Sequence, residues 1–172
     1  MTKLIEGTDY EVIDNYLDHN YFRELVDFAT GCHPQRQLQW TYCPSIVFKE
    51  GSDSLDSYFC SAIYGDQPLS EHYSLFGPFW EILEIKSLMR IKMNLYPRTE
   101  SLVEHEKHSD FPFTHKGAVL SLNTCDGYTI LEDGTKIESV ANRILFFDPS
   151  KLHGSTNCTN DKARFNINFN YF

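Results

Sequence analysis

The C-terminal stretch from Arg164 to Phe172 alternates between polar and apolar side chains, and this pattern constrains the fold strongly. Successive side chains of a β-strand point to opposite faces, so the alternation predicts a strand with one packed face and one polar face. The packed face would carry Phe165, Ile167, Phe169 and Tyr171, and the polar face would carry Arg164, Asn166, Asn168 and Asn170.

Shorter patterns of the same kind predict further strands at 37–42, 58–64, 88–96, 117–123, 128–131, 135–140 and 142–148. Asp133-Gly134 lies between two of these runs and is a hairpin signal. Several short strands without a βαβ rhythm indicate a mainly β fold, a sandwich or barrel-like roll. In the strand 88–96, the side predicted to face away from the core carries Arg90, Lys92, Asn94 and Tyr96.

The N-terminal part of the chain carries helical patterns. Thr8 with Glu11 three residues later resembles a capping box, and apolar residues recur on one helical face after it. The pattern repeats from Tyr21 to Val26, with Gly31 as a stop signal. We expect one broken helix or two short ones that cover a face of the sheet. Residues 50–56 are predicted to form a loop.

The composition fits one domain. The chain has 172 residues, of which 41% are hydrophobic and 15% aromatic. A formal net charge of -9 opposes binding through phosphates, so nucleic acid is not an expected partner. The 5 cysteines are scattered and include no CxxC pair, which indicates reduced, mostly structural thiols. No segment approaches the roughly 20 apolar residues that cross a bilayer, so we expect a soluble, cytoplasmic protein.

A candidate metal site includes the stretch HEKHSD. If this stretch ends a strand, His108 and Asp110 point to the same side, and His153 further along the chain can supply a third ligand. Two histidines and one carboxylate hold non-haem Fe(II) and leave coordination positions open. If the strand before His153 lies beside the strand that Arg164 opens, the guanidinium can bind a carboxylate just beyond the metal.

The order His108-x-Asp110, His153, Arg164 resembles the Fe(II)- and 2-oxoglutarate-dependent dioxygenases, in particular their prolyl 4-hydroxylase-like branch. The resemblance extends over residues 89–172. Supporting stretches are Tyr96-Pro97, 121–123, 127–130, 143–147 and 164–172. It implies a double-stranded β-helix core, a jelly roll of the cupin-like kind, in residues 89–172. Residues 1–88 would support this core with helices and strands, so that 1–172 form a single dioxygenase domain.

The resemblance also implies roles for single residues. His108, Asp110 and His153 would be the catalytic iron ligands, and Arg164 would bind the distal carboxylate of 2-oxoglutarate. Tyr96, Ser121 and Asn166 would contribute to the cosubstrate site. With O₂, such an enzyme converts 2-oxoglutarate to succinate and CO₂ and hydroxylates a C–H bond. The substrate is open between a prolyl residue in a peptide, a free amino acid and another small molecule, and the sequence does not indicate an oligomeric state.

Other interpretations of the same residues are weaker. His105 is spaced from His108 as on a helix, so we expect it beside the ligands or exposed, and we place His115 in a loop. HEKH has too few residues between its histidines for the HExxH zinc motif. A cupin-like binding module with a structural metal is one alternative. An AlkB-type nucleic-acid demethylase is another, but it carries a second arginine where this chain has Asn170.

Overall fold

A computed structural model describes residues 9–46 and 57–172. The predicted loop at 50–56 and Thr8 of the predicted capping box lie outside these residues. The strands are β1 (Tyr10–Ile13), β2 (Thr41–Cys43), β3 (Tyr58–Gly65), β4 (Gln67–Pro68), β5 (Leu88–Pro97), β6 (Lys116–Ser121), β7 (Tyr128–Ile130), β8 (Lys136–Glu138), β9 (Arg143–Phe147), β10 (Gly154–Ser155) and β11 (Ala163–Tyr171). The helices are α1 (His19–Thr30) and α2 (Phe79–Ile82), with a 3₁₀ turn at Tyr73–Phe76.

Two antiparallel sheets make up the fold. The main sheet has the strand order β1-β9-β6-β11-β5-β3-β2, and β4 pairs with β3 outside this path. The smaller sheet has the order β10-β7-β8. Strands from both halves of the chain share the main sheet, since β1 pairs with β9 and β3 pairs with β5. This arrangement confirms the mainly β jelly-roll prediction.

The strand β11 lies in the middle of the main sheet, between β6 and β5. Its apolar face packs into the main core, where Ile167 and Phe169 are fully buried together with Ile91 and Met93 of β5. Helical residues cover that face, and Phe79 contacts Phe169 with ring centroids 4.5 Å apart. The polar face of β11 is buried as well. Because a buried polar face needs partners, it marks the interior side on which the site lies.

The helix α1 shows why part of the helical prediction is right. Asp18 caps its N-terminus by accepting hydrogen bonds from the backbone amides of Asn20 and Tyr21, and Gly31 ends it in the left-handed conformation at φ 76°. Leu25 and Phe28 face the core. None of the described helices is both long and apolar enough to cross a membrane.

The helix predicted from the capping box is wrong, because Tyr10–Ile13 forms the edge strand β1. Its residues pair with β9 in the register Tyr10 to Phe147 through Ile13 to Ile144. Four residues are too few for a stable isolated helix, and the ladder to β9 satisfies their backbone groups instead. The strand predicted at 37–42 is also shifted, since the structure has it at Thr41–Cys43.

Candidate active site

Three side chains converge where the smaller sheet meets the main one. Ligand atoms of His108, Asp110 and His153 all lie within 4.8 Å of one another. His108 Nε2 lies 3.8 Å from Asp110 Oδ1, and the two imidazole centroids are 4.7 Å apart. Among the described residues this is the one group of this kind that could hold a metal ion. The structure therefore brings together the three residues that the sequence analysis predicted as ligands.

The backbone achieves this convergence without a regular strand at HEKHSD. His108 and His153 form an isolated antiparallel bridge, in which each backbone amide donates to the other residue's carbonyl at 2.8 and 2.9 Å. The amide of Asp110 donates to the carbonyl of Pro149 at 2.8 Å. The stretch does not end a regular strand, and isolated bridges bring the side chains of His108 and His153 together instead.

Both histidines are held in the form that a metal needs. His153 Nδ1 lies 3.0 Å from the carbonyl oxygen of Lys151, and His108 Nδ1 lies 3.5 Å from that of Glu106. A carbonyl only accepts, so each Nδ1 carries the hydrogen and each Nε2 keeps its lone pair. Burial lowers the pKa of His153, and burial together with the neighbouring His153 lowers the pKa of His108. Both rings are neutral at physiological pH.

Asp110 is held as a carboxylate by a network that the sequence did not reveal. Arg90 Nη2 lies 2.6 Å from Asp110 Oδ1, and Asn170 Nδ2 donates to Asp110 Oδ2 at 2.9 Å. Asn168 Nδ2 lies 3.3 Å from the same oxygen. Burial alone would raise the pKa of Asp110, but the charge of Arg90 and these hydrogen bonds hold it well below its ordinary value. The carboxylate is therefore ionised and oriented.

Arg164 is buried at 1% exposure. Its Nη1 donates to the Thr156 carbonyl at 3.1 Å and its Nη2 to Thr129 Oγ1 at 3.0 Å. Its Nε is buried and has no hydrogen-bond partner among the described residues. The guanidinium therefore has a donor that no described residue uses, and a carboxylate from a ligand could accept from it.

Arg164 lies beside a different strand from the one considered in the sequence analysis. The strands β9 and β11 are not neighbours, since β6 lies between them. Arg164 pairs across the sheet with Tyr96 on β5 instead, and its guanidinium carbon lies 5.6 Å from the Tyr96 ring centroid. The condition that the two strands lie side by side is therefore not met, and Arg164 lies on the inner face through its position on β11 beside β5.

The other residues predicted to contact the cosubstrate lie on the same inner face. Tyr96 and Asn166 line the cavity that contains both histidines. Burial raises the pKa of Tyr96, so its phenol keeps its proton and can donate a hydrogen bond. Asn94 Nδ2 donates to Asn166 Oδ1 at 2.8 Å, which fixes that amide. Ser121 pairs with Asn166 across β6 and β11 and is buried.

The remaining two histidines of this region are not in the ligand group. His105 is buried, stacks on Tyr96 with centroids 5.3 Å apart, and hydrogen-bonds through Nδ1 to Ser155 Oγ at 2.9 Å. His115 lies in the loop before β6, where its Nε2 is 3.0 Å from Asn170 Nδ2. Of the two placements expected for His105, the structure has it buried beside the site and not exposed, and that it does not bind a metal stays a prediction.

Lys92 is the cavity residue whose role the sequence did not reveal. It lines the cavity with His108 and His153, and its Nζ lies 5.5 Å from the Tyr58 ring centroid. Burial lowers its pKa, and the nearby charge of Arg90 adds to this effect. The alternation in the predicted strand 88–96 had already placed Lys92 on the face of Tyr96, and that was the available signal.

No protein-family model matches the sequence, and no curated protein does either. Solved structures do match. A prolyl-4-hydroxylase from Pseudomonas putida has 16% identity and a TM-score of 0.61, over 96% of this chain and 93% of that one. A Trichoplax adhaerens prolyl hydroxylase, in complex with a hypoxia inducible factor oxygen degradation domain peptide fragment, has 14% identity and a TM-score of 0.67, over 98% and 85%.

A third match widens the range of chemistry found on this fold. The epimerase SnoN from nogalamycin biosynthesis, in complex with Fe³⁺, alpha ketoglutarate and nogalamycin RO, has 13% identity and a TM-score of 0.63, over 95% of this chain and 78% of that one. At such identities the likeness establishes the fold. The fold is a jelly roll like that of these solved structures.

Proposed function

We propose that residues 1–172 form a single Fe(II)- and 2-oxoglutarate-dependent dioxygenase domain that hydroxylates a C–H bond and releases succinate and CO₂. The observation that carries the proposal is the convergence of His108, Asp110 and His153 within 4.8 Å of one another. The two histidines line one cavity together with Tyr96 and Asn166. Arg164 lies on the same inner face, with a buried Nε that has no partner among the described residues. The fold of the matching structures supports it as well.

The residues present fit the metal and the cosubstrate. Two neutral imidazoles and one carboxylate are the donor set that suits Fe(II) with open positions. His108 and His153 would bind it through Nε2, because a backbone carbonyl faces Nδ1 in each. Arg164 would hold the distal carboxylate of 2-oxoglutarate. When bound, the iron would activate O₂ for oxidation, chemistry that protein side chains cannot supply.

The chain's own residues would bind and orient the reactants. Arg90 and Asn170 hold the Asp110 carboxylate from the side and prevent its rotation. The phenol of Tyr96 can donate a hydrogen bond to a cosubstrate oxygen, and Ser121 and Asn166 are proposed to complete that wall. Thr129 and Thr156 fix the Arg164 guanidinium. Donors that are already fixed in place can bind the cosubstrate without a further rearrangement of the protein, which lowers the free-energy cost of orienting it.

Hydroxylation is the outcome we infer for the substrate. The three-ligand set is complete, since Asp110 supplies the carboxylate that the related halogenases lack. The matching structures include an epimerase as well as hydroxylases, so enzymes of this fold catalyse more than one reaction. Analysis of the product by mass spectrometry for an added oxygen atom would separate hydroxylation from epimerisation.

Succinate formation tests the proposal. The protein should convert 2-oxoglutarate to succinate only with Fe(II) and O₂ present, and His108→Ala should reduce this turnover by roughly 100-fold or more, because a lost ligand leaves the iron poorly held. His19→Ala, at an exposed position of α1, is the matched control and should keep full turnover. Unchanged turnover in His108→Ala would contradict the proposal.

A cupin-like binding module is the second candidate, because the same fold and ligand set can hold a structural metal. That module would bind iron without responding to 2-oxoglutarate. The buried Nε of Arg164 without a partner favours the enzyme. An AlkB-type demethylase is disfavoured by Asn170 in place of a second arginine and by the net charge of -9. Failure to retain methylated oligonucleotides at low salt would exclude it.

A further inference from the structure

The cavity beside the metal ligands contains a lysine that makes no ion pair among the described residues. Lys92 projects from β5 on the same face as Tyr96, and it lines the cavity together with both histidine ligands. Its Nζ approaches the Tyr58 ring, which is an aromatic contact and not a counter-charge. A partly buried ammonium has three donors and is costly to keep without acceptors. A ligand that supplies an anion would remove this cost.

Asp110 is not available to serve as that anion. Its Oδ1 lies 2.6 Å from Arg90 Nη2, and its Oδ2 accepts from Asn170 Nδ2 at 2.9 Å. Its remaining capacity would be used by the metal. If the proposed function holds, the charges around the cavity also favour binding of an anion. Fe(II) would carry two positive charges and Arg90, Lys92 and Arg164 one each, whereas Asp110 and 2-oxoglutarate carry fewer negative ones. A further anion is therefore favoured in this cavity.

The same wall also contains acceptors without donors. Asn94 Oδ1 and Asn168 Oδ1 are buried and have no hydrogen-bond partner among the described residues. Both residues line the cavity, and Asn168 pairs directly with Lys92 across β5 and β11. Unpaired buried carbonyl oxygens are rare because each costs about 1–3 kcal/mol. 2-Oxoglutarate has no N–H or O–H donor at neutral pH, so the cosubstrate does not satisfy them.

The Lys92 ammonium and the two unpaired side-chain carbonyls indicate a substrate that carries both an anion and a hydrogen-bond donor. We propose that the substrate is a free amino acid, whose carboxylate binds Lys92 and whose ammonium group binds the side-chain carbonyls of Asn94 and Asn168. The inference rests on the proposed function and deepens it. It distinguishes this chain from an enzyme for an internal peptide residue, because a residue inside a peptide has neither a free carboxylate nor a free ammonium group next to the reacting carbon.

Paramagnetic relaxation tests the inference without turnover. Mn(II) replaces iron, 2-oxoglutarate is saturating, and glycine is the probe because it carries the two groups common to free amino acids. In the wild-type protein the glycine protons should relax faster on binding near Mn(II). Lys92→Met should weaken glycine binding by about tenfold or more, as expected for a lost charge-assisted contact. Lys86→Met, at an exposed lysine outside the cavity, is the matched control and should behave as wild type.

Acetate tests the proposed contact between the substrate ammonium group and the two asparagines. It carries a carboxylate but no ammonium group, so it should bind more weakly than glycine. Equal glycine relaxation in wild type and Lys92→Met, absence of glycine binding, or equal binding of acetate and glycine would each overturn the inference. A parallel titration with 2-oxoglutarate should give the same affinity in Lys92→Met and wild type, and a large loss there would assign Lys92 to the cosubstrate. Failure of the wild type to bind Mn(II) and 2-oxoglutarate would instead refute the proposed function itself.

Discussion

At the scale of single residues, the site depends on groups that hold other groups in place. Arg164 illustrates this, because two of its nitrogens are tied to Thr156 and Thr129 while Nε has no partner among the described residues. Gly127 packs against the same side chain. A Cβ at Gly127 would lie 2.7 Å from Arg164 Cδ and closer still to the carbonyl of Asn157. Glycine is needed there because the arginine occupies the space of a side chain.

Gly127→Ala should therefore displace Arg164. We expect the dissociation constant for 2-oxoglutarate to rise roughly 10- to 100-fold, since a displacement on the order of 1 Å can cost that much in a positioned site. Isothermal titration with Mn(II)-loaded protein measures it. Gly65→Ala is the matched control, because its Cβ would meet only Leu69 Cδ1 at an ordinary 3.4 Å. Similar affinities in both variants would show that Arg164 does not depend on Gly127.

At the scale of secondary-structure elements, the sequence predicted most strands and missed how some of them pair. Alternation located β5 and β11 because their inner and outer faces differ in chemistry. It could not locate β1, since Tyr10–Ile13 is short and owes its strand conformation to pairing with β9. The sequence left the conformation of the HEKHSD stretch undecided for a related reason. Its conformation is set by an isolated bridge to His153, a contact that no local pattern records.

The end of β1 provides a prediction about stability and pH. Asp14 accepts two hydrogen bonds from Arg143, from Nε at 2.6 Å and from Nη2 at 2.9 Å. These bonds lower the pKa of Asp14 below 3.8, its value in an unfolded chain. The stabilisation is therefore fully present above pH 3.8 and is lost as the pH falls through the lower folded-state pKa. Asp14→Asn should cost about 0.5 kcal/mol at neutral pH, since the pair is partly exposed.

Urea unfolding of Asp14→Asn and wild type at pH 7 and at successively lower pH measures this difference. The gap in the free energy of unfolding should shrink as the pH falls below the folded-state pKa of Asp14. Glu100→Gln, at an exposed carboxylate without an ion pair among the described residues, should leave stability unchanged at each pH. A gap of the same size at every pH would contradict the assignment to this ion pair.

At the scale of the whole molecule, an acidic protein has basic residues on the inner face of its two central strands. The net charge is -9, yet Arg90, Lys92 and Arg164 all lie on the inner face of β5 and β11. The residue order along the sequence was sufficient to predict that His108, Asp110 and His153 come together, while their role as ligands and the role of Arg164 stay predictions. It was not sufficient for Arg90 and Lys92, because their roles depend on which strands face one another. The net charge does not show where the charged side chains lie. The basic residues of the site come together only because β5 and β11 pair in the sheet.

The central claim is that this cavity binds Fe(II) and 2-oxoglutarate together. Anaerobic addition of 2-oxoglutarate to the Fe(II)-loaded protein tests it most directly, with the absorption spectrum of the iron as the readout. The spectrum should change in a saturable way in wild type. The change should be lost in His153→Ala, which removes a ligand, and should require higher 2-oxoglutarate in Arg164→Gln. An iron spectrum that does not respond to 2-oxoglutarate in the wild-type protein would contradict the account.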